Sequence, residues 1–162
     1  MTISRLGARS FLAVLTVCAF LLSGVVAAQP ASAWTSYSVK VTGRSTGIVN
    51  MNNMLAMCSG TPGTRCSIEK SVSATRTIGL SLGASRSFVA GELNVSKAST
   101  RTVSVSCSAK LTSTRRTLRA YPIGTQVFYK ITKNVNGKKT TSGTLAAFVP
   151  SGSSTFCTLV RG

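Results

Sequence analysis

Apolar residues recur at every second position over much of this chain, and many of the positions between them are Ser, Thr or Gly. Tyr37, Val39 and Val41 alternate with Ser36, Ser38, Lys40 and Thr42, the spacing of a strand with one buried face. Gly43 to Gly47 reads as a turn. The period then changes. Ile48, Met51, Met54 and Leu55 recur at helical spacing, which predicts a short helix from Val49 to Cys58. Met51, Met54 and Met57 form a stripe along it, read first as a core face and second as a soft binding surface.

The most distinctive pattern runs from Ser71 to Leu111. Apolar residues first occupy even positions: Val72, Ala74, Ile78, Leu80, Leu82, Ala84 and Phe88. They then occupy odd ones: Leu93, Val95, Val103, Val105, Cys107, Ala109 and Leu111. The parity changes around Val89-Ala90-Gly91-Glu92. A hairpin turn there would place both apolar sets on one face, because antiparallel partners across a two-residue loop pair an odd position with an even one.

In composition this segment resembles the membrane-inserting hairpins of β-barrel pore-forming toxins, which alternate and are rich in Ser, Thr and Gly. The resemblance implies strands of about 9–11 residues crossing a bilayer. The charges argue the other way. Arg76 and Arg86 share the even parity of the aliphatic set, and Lys97 and Arg101 share the odd parity of theirs. A base facing lipid at mid-depth costs about 2–4 kcal/mol. A water-facing sheet with its aliphatic side buried is the better reading, and the pore is kept as an alternative.

Beyond Leu111 the chain is polar and basic to Arg119, and Tyr121-Pro122-Ile123-Gly124 reads as a turn. Val127, Tyr129 and Ile131 alternate within a strand from Gln126 to Lys133. Asn136-Gly137 is the strongest hairpin-turn signal in the chain. A returning strand, Thr144 to Val149, stops at Pro150-Ser151-Gly152, and Thr155 to Val160 reads as a last strand. Six or seven strands without a βαβ pattern predict a mainly β protein. The expected form is a compact antiparallel β-sandwich or small barrel with one short helix and two disulfides.

The first 33 residues read as an address. Arg5 and Arg9 precede an uncharged apolar run from Phe11 to Val26, and Ala31-Ser32-Ala33 fits a signal-peptidase site before Trp34. The run is short for a membrane span of about 20 residues. Cys18 lacks the small residues expected just before a lipidated cysteine. Cleavage after Ala33 would leave a single secreted β-rich domain, 34–162, with 17 bases and two acids.

Export changes the reading of the cysteines. Cys58, Cys66, Cys107 and Cys157 would form two disulfides, for which three pairings exist. Cys58–Cys66 with Cys107–Cys157 is favoured. The first closes a short loop containing Pro62 and Gly63, and the second ties down the C-terminal segment. A zinc site is the competing idea, but no C-x-x-C pair is present.

Charge sets the chemistry. Nineteen Lys and Arg face only Glu69 and Glu92, with no Asp and no His, for a net charge of +17. Histidine-dependent triads are excluded, and Glu69 and Glu92 fall at opposite ends of the expected hairpin. No catalytic residues, cofactor or metal are therefore expected, and the chain reads as non-enzymatic. A long-range positive field follows from the same composition.

The expected function is that of a secreted cationic binding protein acting on anionic cell surfaces or polymers, antimicrobial action being one form of it. Its partners would be phospholipid, a wall polymer or an acidic protein. Sequence-specific nucleic-acid binding is not expected, since the field alone supplies only non-specific affinity. The bases assigned to the anion-binding surface are Lys110, Arg115, Arg116, Arg119, Lys133, Lys138 and Lys139. An adaptor subunit that pairs through a β-edge with an acidic partner is the main alternative.

Overall fold

The computed structural model describes residues 34–161, so the expected export signal and Cys18 lie outside the described residues. Eight strands and one helix follow in the order β1 (Thr35–Val49), β2 (Ala56–Cys58), β3 (Arg65–Thr75), β4 (Thr77–Ile78), α1 (Arg86–Glu92), β5 (Thr100–Lys110), β6 (Arg116–Val135), β7 (Lys138–Thr141) and β8 (Leu145–Arg161). The protein is mainly β, and every strand pairing is antiparallel.

The 20-residue β6 is the axis of the larger sheet. β1 and β2 pair along one of its edges, β7 and β8 along the other, and β4 adds outside β8. β3 and β5 form a separate two-stranded sheet. Neither sheet closes, which makes the architecture a sandwich rather than a barrel. The turn at Asn136-Gly137 is as expected: both residues have positive φ, 50° and 86°, the twist that suits a two-residue hairpin.

Two hydrophobic cores form at different ends of β6. At its N-terminal end, Leu118 and Ala120 pack with Cys66, Ile68, Val105, Cys107 and Leu111. At its C-terminal end, Val127, Tyr129 and Ile131 pack with Ile78, Ala84, Val89, Ala90 and Leu93. Side chains alternate along a strand, so the even-numbered pair and the odd-numbered trio project from opposite faces of β6. The β3–β5 hairpin covers one face and the α1 segment the other. The link between them, from Arg76 onward, passes the sheet edge where β4 pairs with β8. Each fully buried Leu, Val or Ile contributes on the order of 1.5–3 kcal/mol.

The hairpin parity expected from the sequence is present in part. Cys66, Ile68, Val72 and Ala74 stand opposite Ala109, Cys107, Val103 and Arg101, even against odd. The strands end sooner than the alternation implied. The turn expected at Val89–Glu92 lies within and at the end of α1. Ser85 caps this helix by accepting from the Phe88 N–H at 3.2 Å. Asn94, at φ 54°, closes it, with Val95 N–H donating to Ala90 O and Asn94 N–H to Gly91 O. Val89, Ala90 and Leu93 then share one buried helical face.

The helix expected over Val49–Cys58 does not form. The Asn50 and Leu55 N–H groups donate to Pro122 O and Ala120 O, and Ala56–Cys58 pairs with Leu118–Ala120. These long-range bonds override a modest local helical preference. Met51, Met54 and Met57 are consequently 54%, 47% and 59% exposed, against the expected core face. Two expected turns are also absorbed into strands. β1 runs through Gly43–Gly47 with two register shifts, and β6 runs through Tyr121–Gly124. The register of β8 breaks there, between Pro122 and Gly124, where proline offers no N–H to the ladder.

Both favoured disulfides are present, Cys58–Cys66 and Cys107–Cys157, with Cα–Cα distances of 5.9 and 6.1 Å. The first joins β2 to β3 and the second joins β5 to β8. Each therefore fastens one strand of the hairpin to the larger sheet. An oxidising, extracellular-type environment suits these bonds. Among the described residues no helix is long and apolar enough to cross a membrane.

Candidate anion-binding surface

The seven bases assigned to an anion-binding surface separate into two groups. Lys110 ends β5, Arg115 precedes β6, and Arg116 and Arg119 lie in its first turn of alternation. Lys133 lies near the far end of β6, with Lys138 and Lys139 in β7. Extended chain between Arg116 and Lys133 spans on the order of 50 Å. A single compact patch containing all seven is thus ruled out by the length of β6. Arg115, Lys110, Lys138 and Lys139 are exposed, and Arg116, Arg119 and Lys133 are half-buried.

Strand register adds bases to each group. Arg65 stands opposite Lys110 across β3–β5, and Arg116 stands opposite Arg161 across β6–β8. At the far end Lys40 stands opposite Lys130 across β1–β6. Like charges directly opposed on neighbouring strands destabilise a sheet, by about 0.2–1 kcal/mol per pair. Sequence spacing offers no signal for Arg65, Arg161, Lys40 or Lys130 as partners, since each pairing depends on register.

Some bases are tethered. Arg116 Nη1 donates to Leu159 O at 3.4 Å, and Lys133 Nζ stands 5.9 Å from the Tyr37 ring centroid. Lys138 and Lys139 begin β7 after the Asn136-Gly137 turn and are exposed. Of the two acids, Glu69 stands opposite Ser106 and Glu92 is the last residue of α1. Neither occupies one of these like-charge pairs.

A third group of bases was not assigned to the surface from sequence. Arg76, Arg86 and Arg101 surround the point where the chain returns to the hairpin. Arg76 is buried, at 6% exposure, and its Nη1 donates to Ala98 O at 2.8 Å and Thr100 O at 3.3 Å. Arg86 Nε donates to Lys97 O, and its Nη2 to Arg76 O, both at 3.0 Å. Burial, then the charges of Arg101 and Arg86, hold the Arg76 guanidinium below its ordinary pKa. Its Nε is buried without a hydrogen-bond partner. These contacts clamp the return segment through its carbonyls, which accept the bonds without neutralising the guanidinium charge.

Chemically, this arrangement presents donors and positive charge. Among the described residues no three His, Cys, Asp or Glu side chains gather as a metal-ligand set. Compared with known proteins, the chain matches no family model and no curated sequence.

Proposed function

We propose that the protein is a secreted, non-enzymatic, cationic domain that binds extended polyanions on cell surfaces through the two ends of its long sheet. The carrying observation is the set of three like-charge cross-strand pairs, Lys40/Lys130, Arg65/Lys110 and Arg116/Arg161. Each costs folding stability in the free protein, and each is relieved when an anion lies between the two bases. Two basic ends on one rigid strand favour a polymer or membrane surface over a small ion, because a multivalent partner engages both.

Both hairpin strands carry a disulfide to the larger sheet, which favours surface binding over insertion of that hairpin. A second reading also has a specific observation. Among the described residues the 15-residue β1 pairs on one side only, an edge for an added strand of an acidic partner.

Binding to vesicles tests the two readings together. The cationic-surface reading expects binding to anionic but not neutral vesicles, weakening as salt rises through about 0.1–0.5 M. Salt-independent binding, or equal binding to neutral vesicles, would sink it. The edge-pairing reading expects a stable stoichiometric complex with an acidic protein from the culture supernatant.

A further inference from the structure

Arg101 occupies the inward register of β5, in line with Val103, Val105 and Cys107. Those three are buried, but Arg101 stands at the open end of the hairpin core and is exposed. A basic residue in a core register is costly unless its charge has a use or an exit. Here the exit is a cleft of about 390 Å³ lined by Arg101, Gly47, Gly124, Thr125, Ser151 and Ser154 among others.

The cleft exists because two neighbours of β6 break register at the same level. β1 shifts between Ser45 and Ile48, and β8 shifts between Pro150 and Thr155. Ser151 to Ser154 of β8 stand opposite the single residue Ile123, so β8 bulges at this level. One N–H of Arg101 is held by Pro150 O at 3.1 Å. The rest of its guanidinium lies against Gly152, where an added Cβ would come within 3.2 Å of Nη2. Ser151 Oγ accepts from Ser153 N, which leaves its own proton to donate.

We infer that this cleft is a discrete phosphate site, in which Arg101 supplies a fork of charged N–H donors and Thr125, Ser151 and Ser154 supply hydroxyls. Arg76, which feels the charges of both Arg101 and Arg86, adds positive charge near Arg101 and so to the attraction. A guanidinium fork with several hydroxyls beside it suits an anion with several acceptor oxygens, as phosphate has. The volume exceeds a bare ion, so a phosphate carrying an organic substituent fits. Phospholipid headgroups and phosphodiester wall polymers share that chemistry. The proposal rests on the cationic-surface reading and adds, between its two basic ends, one shaped pocket at Ile123–Thr125 of β6.

The test is an amide NMR titration of the purified protein with inorganic phosphate. Saturable shifts centred on Gly47, Gly124 and Ser151–Ser154 are expected. Arg101→Gln should weaken binding about tenfold or more, and Arg101→Lys less, because it keeps charge but loses the fork. Thr125→Val and Ser154→Ala, which leave the Arg101–Pro150 bond in place, should each weaken it a few-fold and keep the test decisive if Arg101→Gln unfolds. Lys70→Gln, at an exposed base of β3 away from the cleft, should titrate as wild type. Shifts spread over Lys130–Lys139 instead, or unchanged affinity in every cleft variant, overturn the site.

Competition at the cleft by soluble poly(glycerol phosphate) or by phosphatidylglycerol vesicles identifies the source. Competition by neither overturns the assignment to substituted phosphate. Polyanion binding that persists without any cleft shift overturns the site and leaves the cationic-surface reading standing. Loss of salt-sensitive vesicle binding as well would overturn both.

Discussion

The hydroxyl of Tyr129, in the C-terminal half of β6, donates to the backbone carbonyl of Gly79, 50 residues earlier in the chain. Tyr37 makes a parallel contact from β1, donating to Leu82 O at 3.2 Å. Two tyrosines of the larger sheet thus hold the segment that carries the chain across the sheet edge to α1. Tyr129→Phe removes the donor and leaves the Gly79 carbonyl short of one bond. A loss of about 1–2 kcal/mol is expected by denaturant unfolding, with little change in vesicle binding.

The same phenol sets an alkaline limit. Burial raises the pKa of Tyr129 above its ordinary 10.0, with the Gly79 bond and Arg86 acting in the opposite direction. A group whose pKa is higher folded than unfolded contributes stability that is complete below the unfolded value and is lost as pH rises through the folded one. The melting temperature should therefore fall above about pH 10, and fall less in Tyr129→Phe. An identical pH profile for both proteins would refute this.

The two disulfides should differ in effect. Cys107–Cys157 spans 50 residues and Cys58–Cys66 spans eight. Loop-closure entropy assigns about 4 kcal/mol to the longer bridge and about 2.5 kcal/mol to the shorter. Replacing each pair by serine should lower the unfolding free energy in that order. A larger loss from the short bridge would show that strain or residual unfolded structure dominates.

Gly124 lies under the Phe148 ring, and an added Cβ would come within 2.8 Å of its Cζ and meet the Val149 carbonyl. Neither the backbone nor the buried ring has room to give. Gly124→Ala should destabilise by about 1–3 kcal/mol and perturb the Arg101 cleft next to it. Gly137→Ala meets nothing within 4 Å, so its cost should come only from its φ of 86°.

The like-charge pairs separate stability from binding. Lys130→Glu converts the Lys40/Lys130 repulsion to attraction and should stabilise the fold by about 0.2–1 kcal/mol. Arg161→Glu should do the same opposite Arg116. Both should weaken binding to anionic vesicles. Retained binding together with increased stability would remove the functional meaning given to these pairs.

Much of the hairpin was legible because its information is local. Alternation at period two places Val72 and Val103 on one face wherever the turn falls, provided the pairing joins even to odd. Asn136-Gly137 was legible for a similar reason, since few residues tolerate positive φ. α1 was not. Val89, Ala90 and Leu93 sit inside a long alternating run, and only the Ser85 cap marks the change of period. The helix expected at Val49–Cys58 failed conversely, because its donors were claimed by β6.

The candidate surface was legible as composition and not as geometry. Lys110, Arg116 and Lys133 were visible as bases, but their division between two ends follows from β6 being one unbroken strand. Arg101 was read as an awkward charge in an apolar register. Its cleft depends on register shifts in two strands that the sequence places far from it.

The sequence by itself determined the β class and an excess of bases that no rearrangement could neutralise, and it favoured one cysteine pairing of the three possible, the one the structure contains. These rest on properties of single residues or of neighbours in the chain. Only the tertiary structure decided which face of β6 each core occupies, which bases confront one another, and where a core arginine opens to solvent. Those depend on register, and shifting an antiparallel pairing by one residue exchanges one face for the other without changing a single side chain.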